Sequence, residues 1–190
     1  MRTENAKNRG YYKIEGAVRA FNFDFHGKTV LDIGSSTGGF TEIALEHGAT
    51  KVIAVEKGTN QMKAPLRFDS RIDLHEKTDI FDFILAENQK PDVIVADVSF
   101  LSLTKILKYA KIHLSRSNTE YLVMLKPQFE AHPTQLTRGV VKNEKIRRDI
   151  IKRFESWLIQ NNFIVLAKRD NSLAGKTGNL ERFYWLKLAR

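Results

Sequence analysis

Residues 32–40 read DIGSSTGGF and join two segments of different character. The preceding segment, 28–31, is a short β-branched and apolar run, which is typical of a buried strand. The following segment, 41–47, has helical composition, and Gly48 occupies the position of a helix C-cap. Glycines suit a tight strand-to-helix turn and leave room for a ligand to approach the backbone. The stretch therefore predicts a strand, a glycine-rich turn and a helix.

An acidic residue ends the next predicted strand, 51–55. This residue, Glu56, follows Asp32 by 24 positions, where a carboxylate in a wound α/β sheet can accept both ribose hydroxyls of a cofactor. A pyrophosphate-binding turn spells G-x-G-x-x-G. Here three hydroxyl residues separate Gly34 from the Gly38-Gly39 pair, which resembles the first motif of S-adenosylmethionine-dependent methyltransferases. The alternative ligand is a nicotinamide dinucleotide, which this glycine pattern disfavours. The alternative without a ligand is an ordinary strand-to-helix turn.

The composition restricts the class of protein. The 190 residues, 42% of them apolar, suffice for one α/β domain. The absence of cysteine excludes disulfides and thiolate chemistry, and five histidines without ligand spacing predict no metal site. The net charge of +9 indicates a polyanionic partner, with a generally basic surface as the alternative. We expect a cytoplasmic location, because no apolar run approaches the roughly 18 residues of a membrane span and no secretory signal is visible.

The rest of the chain alternates apolar runs with helical periodicity, which predicts a doubly wound α/β sheet. A helical slot at 60–68 is interrupted by Pro65. The other elements expected from the pattern are helices over 11–21, 103–114 and 143–161 and strands over 71–75, 91–97, 120–125, 163–167 and 180–186.

Charged residues stand at the ends of several predicted strands. Asp97 and Lys126 each close an apolar strand, and Glu181 lies at the start of the last one. Ends of adjacent strands converge on one crevice, so we expect these side chains to share a site. Asp79 follows the third strand and can either accept the exocyclic amine of an adenine or cap a helix.

Seven basic and two acidic residues lie between positions 138 and 153. Such a stripe is either a solvated helix face or a surface that contacts nucleic-acid phosphates, and the sequence supports both interpretations equally. The residues predicted to contact RNA are Arg138, Lys142, Lys145, Arg147, Arg148 and Lys152.

The quoted motifs resemble the TlyA group of FtsJ-like methyltransferases over nearly the whole chain from residue 8. The glycine-rich turn resembles the group's DVGASTGGF, and the opening NRGYYKIE at 8–15 is similar to SRGGxKLE. The other matching segments are ADVSFLSL at 96–103, KPQFE at 126–130, GVV at 139–141, where the group has GGVV, and GNLE at 178–181.

This resemblance implies a Rossmann-like methyltransferase with a seven-stranded, mostly parallel sheet, helices on both faces and an antiparallel last strand. It implies S-adenosylmethionine as cofactor, no metal, and ribose 2′-O-methylation of structured RNA, as rRNA or in a ribosomal subunit. The group's Lys-Asp-Lys-Glu tetrad falls on Lys13, Asp97, Lys126 and Glu181. The predicted cofactor contacts are Asp32, Gly34, Ser36, Gly38, Gly39, Phe40, Glu56, Asp79 and Asp97.

The match also leaves alternatives open. The group carries an amino-terminal RNA-binding domain, which we do not find here; we expect a flexible segment at 1–9 and a methyltransferase domain at 10–190. The tyrosine at position 11, where the group has glycine, makes Lys13 the least secure assignment. Lys126 can act as a neutral base or as an orienting cation. The competing functions are an RNA-binding or ribosome-assembly module with a vestigial pocket and a membrane-active haemolysin.

Overall fold

The computed structural model describes residues 7–173, 175 and 178–189. Its helices are α1 (Arg9–Phe21), α2 (Gly39–Glu46), α3 (Leu103–Tyr109), α4 (Pro127–Glu130) and α5 (Glu144–Gln160). Its strands are β1 (Thr29–Ile33), β2 (Lys51–Val55), β3 (Ile72–His75), β4 (Val93–Ala96), β5 (Glu120–Leu125), β6 (Phe163–Asp170) and β7 (Arg182–Leu188).

The strands form one seven-stranded sheet in the order β3-β2-β1-β4-β5-β7-β6. The pairs from β3 to β5 are parallel, and β7 runs antiparallel to both of its neighbours. This confirms the predicted fold class. The chain winds outward from β1 in one direction and from β4 in the other. The crevice between the carboxyl ends of β1 and β4 is therefore the topological switch point, where ligands bind in such sheets.

Two apolar cores cover the two faces of the sheet. One contains buried residues of α1 and α2, and the other contains buried residues of α3 and α5. Because successive strand residues point to opposite faces, Val30 of β1 belongs to the first core and Leu31 to the second. Helices on both faces explain why β4 is continuously apolar.

The first core contains a buried carboxyl group. Asp32 is 0% exposed, and its Oδ2 accepts a hydrogen bond of 2.6 Å from Oγ1 of Thr41. Burial raises the pKa of the Asp32 carboxyl to about 7, and the Thr41 hydrogen bond opposes part of this rise. The bond ties β1 to α2 beneath the glycine-rich turn.

Three local differences from the sequence predictions have simple causes. Helix α1 starts two residues early because the Asn8 side chain caps it, accepting from the Tyr11 amide at 3.0 Å. The predicted helix at 60–68 is reduced to a single 3₁₀ turn at Leu66–Phe68, because Pro65 has no amide hydrogen with which a helix could extend towards the amino terminus. Strand β7 begins after Glu181. Residues 1–6 of the predicted flexible segment lie outside the described residues, whereas Lys7 to Arg9 pack on the domain.

No helix in the described part of the chain is long and apolar enough to cross a bilayer.

We predict that Asp32→Asn changes the pH dependence of stability. The pKa in the folded protein, about 7, exceeds the ordinary value of 3.8, so the unfolded chain loses its proton first as the pH rises. The wild-type free energy of unfolding should therefore fall between pH 4 and 7, by up to roughly 4 kcal/mol. Asn cannot ionise, so the free energy of unfolding of the variant should increase relative to that of the wild type as the pH rises over this range. Urea unfolding from pH 4 to 8 measures the difference, with exposed Asp149→Asn as control. Parallel wild-type and Asp32→Asn curves would contradict the prediction.

Candidate active site

The first half of the site lies where β4 and β5 end. Asp97 follows β4, Lys126 follows β5, and the two strands are parallel neighbours, so both side chains emerge at the same edge. Nζ of Lys126 lies 2.5 Å from Oδ1 of Asp97 and 3.1 Å from Oγ of Ser99. Lys126 is only 8% exposed. A buried ammonium is therefore held by a carboxylate and a hydroxyl.

The second half joins α1 to the start of β7. Nζ of Lys13 lies 2.6 Å from Oε2 of Glu181, and both residues are nearly buried, at 8% and 3% exposed. The antiparallel register pairs Leu125 with Arg182, so Glu181 stands at the same sheet edge as Lys126. The structure thus places Lys13, the least secure assignment from the sequence, beside Glu181.

A cavity of about 590 Å³ is lined by both ion pairs. The structure therefore brings together the four residues predicted to be catalytic. Gly34, Ser36, Gly39 and Phe40, all predicted cofactor contacts, also line this cavity. Lining residues that the sequence analysis did not select include Asn8, Arg9, Ser99, Phe100, Gln128 and Phe129. All six lie within the motifs quoted above. This location was the only sequence signal that they belong to the site.

A second cavity, of about 360 Å³, adjoins the first. It is lined by Glu56, Asp79 and the apolar side chains of Ile80 and Val98. The two cavities share five lining residues, namely Gly34, Ser36, Asp97, Ser99 and Phe100. Together they form one continuous crevice at the switch point of the sheet.

Two carboxylates in the second cavity already have partners. Oε2 of Glu56 accepts from the Ser36 amide at 2.9 Å, and Oε1 accepts from the Gly58 amide at 2.6 Å. Asp79 accepts from the Phe81 amide, as the helix-cap interpretation predicted, and pairs with Lys57 at 2.8 Å. The hydrogen bonds from Lys57 and Phe81 lower the pKa of Asp79. Both carboxylates are thus hydrogen-bond acceptors facing the cavity.

A third carboxylate fixes the loop between Asp97 and α3. Glu130, at the end of α4, accepts from Oγ of Ser102 at 2.7 Å and from the Leu103 amide at 2.6 Å. Burial raises the pKa of the Glu130 carboxyl. Because Glu130 follows Lys126 by four positions, it holds the loops after β4 and β5 together. No role for Glu130 was predicted from the sequence.

Two of the predicted cofactor contacts, Asp32 and Gly38, line neither cavity. Asp32 is enclosed beneath the turn by its bond to Thr41. Gly38 has a φ of +92°, which favours glycine, and a β-carbon there would lie 2.7 Å from Cδ1 of Leu66. Both residues shape the turn from behind the crevice.

The structure also corrects one predicted RNA contact. Arg147 is only 6% exposed; its Nη2 lies 2.6 Å from Oδ1 of Asp170, and its Nε donates to the Leu180 carbonyl at 3.3 Å. The side chain of Arg147 is therefore buried and makes its polar contacts within the protein. The other five predicted contacts are exposed, and within the described ranges no carboxylate pairs with their side chains: Arg138, Lys142, Lys145, Arg148 and Lys152.

The FtsJ-like methyltransferase family matches residues 6–188. The chain belongs to this family. It is 34% identical over 180 residues to the 23S rRNA (cytidine-2'-O)-methyltransferase TlyA of Campylobacter jejuni, covering 94% of this chain and 69% of that protein.

Two further relatives show how much of each protein the chain spans. It is 36% identical to Hemolysin A of Brachyspira hyodysenteriae, covering 92% of this chain and 73% of that protein. With YqxC of Bacillus subtilis it shares 35% identity over 92% of its own length but spans only 63% of that relative. The solved structure of a hemolysin-like protein from Lactococcus lactis superposes with a TM-score of 0.89 at 35% identity, covering 95% of this chain and 87% of that one.

The adjacent residues Arg147 and Arg148 provide a matched pair of substitutions. We predict that Arg147→Ala lowers the free energy of unfolding by about 1–3 kcal/mol, because the partly buried Asp170 and the Leu180 carbonyl each lose a donor. Exposed Arg148→Ala should change it by less than about 0.5 kcal/mol. Urea unfolding measures both variants. Equal stabilities would show that the Arg147 contacts contribute nothing.

Proposed function

We propose that this chain is an S-adenosylmethionine-dependent methyltransferase that modifies a ribose 2′-hydroxyl of rRNA. The observation that carries the proposal is the pairing of Lys13 with Glu181 and of Lys126 with Asp97 in one cavity, beside a second cavity suited to a nucleoside. Membership of the FtsJ-like family supports methyl transfer. Relatives named cytidine-2'-O-methyltransferases support a ribose acceptor in rRNA.

The second cavity fits the adenosine part of the cofactor. Its apolar walls, Ile80 and Val98, suit a flat heterocycle, and its two carboxylates suit donors at either end of a nucleoside. We assign the ribose hydroxyls to Glu56 and the exocyclic amine to Asp79. The first cavity, with Ser36 and Phe40, would take the methionine part of the cofactor. When bound, S-adenosylmethionine would supply an electrophilic methyl group; its carbon–sulfur bond would break as the oxygen–carbon bond forms, and the neutral thioether S-adenosylhomocysteine would leave.

Lys126 is the residue that we assign to the acceptor hydroxyl. A ribose hydroxyl is a weak nucleophile, and its proton must leave as the oxygen forms its bond to carbon. A neutral Lys126 could take this proton, while its ammonium form would orient the hydroxyl. Asp97 and Ser99 hold Nζ in place for either role. Positioning of this kind is worth roughly 7–11 kcal/mol in well-oriented intramolecular reactions.

The pair of Lys13 and Glu181 supplies a second fixed charge pair to the same cavity. Two ammonium groups and two carboxylates sum to zero, so the site can remain buried without an uncompensated ion. We propose that Glu181, held by Lys13, accepts a hydrogen bond from the acceptor ribose. The cavity thereby contains both a donor and an acceptor for a sugar hydroxyl.

The RNA partner is proposed from charge. The net charge is +9, and the exposed cations around the start of α5 offer contacts to phosphates. This surface comprises Arg138, Lys142, Lys145, Arg148 and Lys152, without the buried Arg147. Phosphate contacts give affinity and carry no base specificity, so they suit a structured rRNA held in place beside the cavity.

We predict that Lys126→Ala abolishes methyl transfer while leaving both binding steps nearly intact. The lysine faces the cavity with the second ion pair, away from Glu56 and Asp79, and adds one charge among many to RNA binding. Single-turnover transfer at saturating RNA and S-adenosylmethionine measures the rate, and separate titrations measure each Kd. Lys145→Ala, on the exposed surface, should do the reverse and weaken RNA binding alone. A near-normal rate for Lys126→Ala would refute the assignment.

We predict that Glu56→Gln weakens S-adenosylmethionine binding about ten- to a hundredfold, because a charged hydrogen-bond acceptor is worth roughly 1.5–3 kcal/mol. Gln retains an acceptor for the Ser36 or Gly58 amide, so the turn should persist. Calorimetry measures the affinity, with the exposed Glu87→Gln as control. An unchanged Kd would place the ribose elsewhere, and tight NADH binding by the wild type without S-adenosylmethionine binding would overturn the cofactor.

A further inference from the structure

The first turns of α1 and α2 lie in direct contact at Gly39. A β-carbon on Gly39 would lie 2.5 Å from the Tyr11 amide nitrogen and 2.9 Å from the Gly10 carbonyl carbon, with Oδ1 of Asn8 closer still. Real β-carbons do not approach other atoms to less than 3.0 Å. Two of these neighbours are backbone atoms, which cannot rotate away. Any side chain at position 39 would therefore push α1 off α2.

Polar contacts hold α1 against α2 on the outer side of the same crossing. Nζ of Lys7 lies 2.7 Å from a carboxylate oxygen of Glu42 and 2.5 Å from one of Glu46. The Tyr11 hydroxyl donates to the other Glu46 oxygen at 2.6 Å. The start of α1 is thus fixed by close packing on one side and by these bonds on the other.

The position of α1 decides where Lys13 lies. Lys13 is one helical turn beyond Gly10, and its ammonium is buried against Glu181 in the larger cavity. A displacement of the first turns would move this ammonium relative to the sheet edge. Lys126 and Asp97 would not move with it, because both are held by the ends of β4 and β5.

We infer that Gly39 is a positioning residue for Lys13. Its missing side chain lets α1 dock on α2 and so places the Lys13 ammonium against Glu181. The inference rests on the proposed function in one respect, that Lys13 takes part in methyl transfer. It reassigns the last glycine of the turn from a cofactor contact to the docking of a catalytic helix.

The surroundings of Gly39 distinguish it from a cofactor glycine. Every atom that its β-carbon would meet within 3 Å belongs to α1 or its cap, and its backbone φ lies outside the left-handed region. Gly38, one position earlier, has a φ of +92° and faces Leu66 instead.

The test compares Gly39→Ala with Gly16→Ala. Gly16 lies in α1, where a β-carbon would have no neighbour closer than 3.9 Å, so the same substitution should be harmless there. Three quantities are measured: the Kd for S-adenosylmethionine, the single-turnover rate at saturating RNA and cofactor, and the labelling of Lys13 by reductive methylation followed by mass spectrometry. For Gly39→Ala we expect at least a tenfold lower rate, a Kd within about threefold of wild type and increased labelling of Lys13.

A second variant covers the case in which Gly39→Ala does not fold. Glu46→Gln removes the charge that holds Lys7 and Tyr11 without touching either cavity. We expect a several-fold lower rate, increased Lys13 labelling and an unchanged Kd.

The inference would be overturned by a Gly39→Ala protein that binds S-adenosylmethionine tenfold more weakly but transfers at the wild-type rate when saturated. It would also be overturned if Gly39→Ala matched Gly16→Ala in rate and labelling, or if both Gly39→Ala and Glu46→Gln left Lys13 protected. If the wild-type protein showed no methyl transfer while Gly39→Ala still increased the labelling of Lys13, the result would refute the proposed function and not the positioning role of Gly39.

Discussion

The ion pair between Lys126 and Asp97 is the interaction on which the site depends. It joins the ends of two adjacent parallel strands, β4 and β5, so it can form only after these strands have paired in register. Glu130 adds a second connection between the same two loops, through Ser102 and the start of α3. These contacts fix the loops after β4 and β5, and these loops supply several of the residues that line the larger cavity.

Burial requires that each of these four charges has an opposite partner. A single buried ammonium or carboxylate would be costly, and the Lys126 and Lys13 ammonium groups each meet a carboxylate. The supply of charges from four separate elements makes the site sensitive to how α1, β4, β5 and β7 dock. Gly39 is the point where the docking of α1 meets the glycine-rich turn, so a single turn would serve both the proposed cofactor and the proposed positioning of Lys13.

Local physics accounts for what the sequence by itself determined. Strand, turn and helix at 29–46 follow from apolar patterning and from glycine, and Asn143 caps α5 as its side chain favours. The parallel sheet and the antiparallel last strand followed from the resemblance to FtsJ-like enzymes, as did the four residues that line the larger cavity. Asp97, Lys126 and Glu181 are predictable because each stands at the end of a recognisable strand.

Only the tertiary structure decided which polar side chains face the crevice and which are enclosed. Lys13 meets Glu181 although most of the chain separates them, and no local pattern encodes that contact. Arg147 and Arg148 are neighbours of identical chemistry, yet the rotation of α5 against β6 buries the first and exposes the second. Asp32 lies at the sequence position of a cofactor contact but points beneath the turn towards Thr41. Neighbouring side chains point to opposite faces of a strand, and they lie about 100° apart around a helix. Only tertiary packing determines which of these sides is buried.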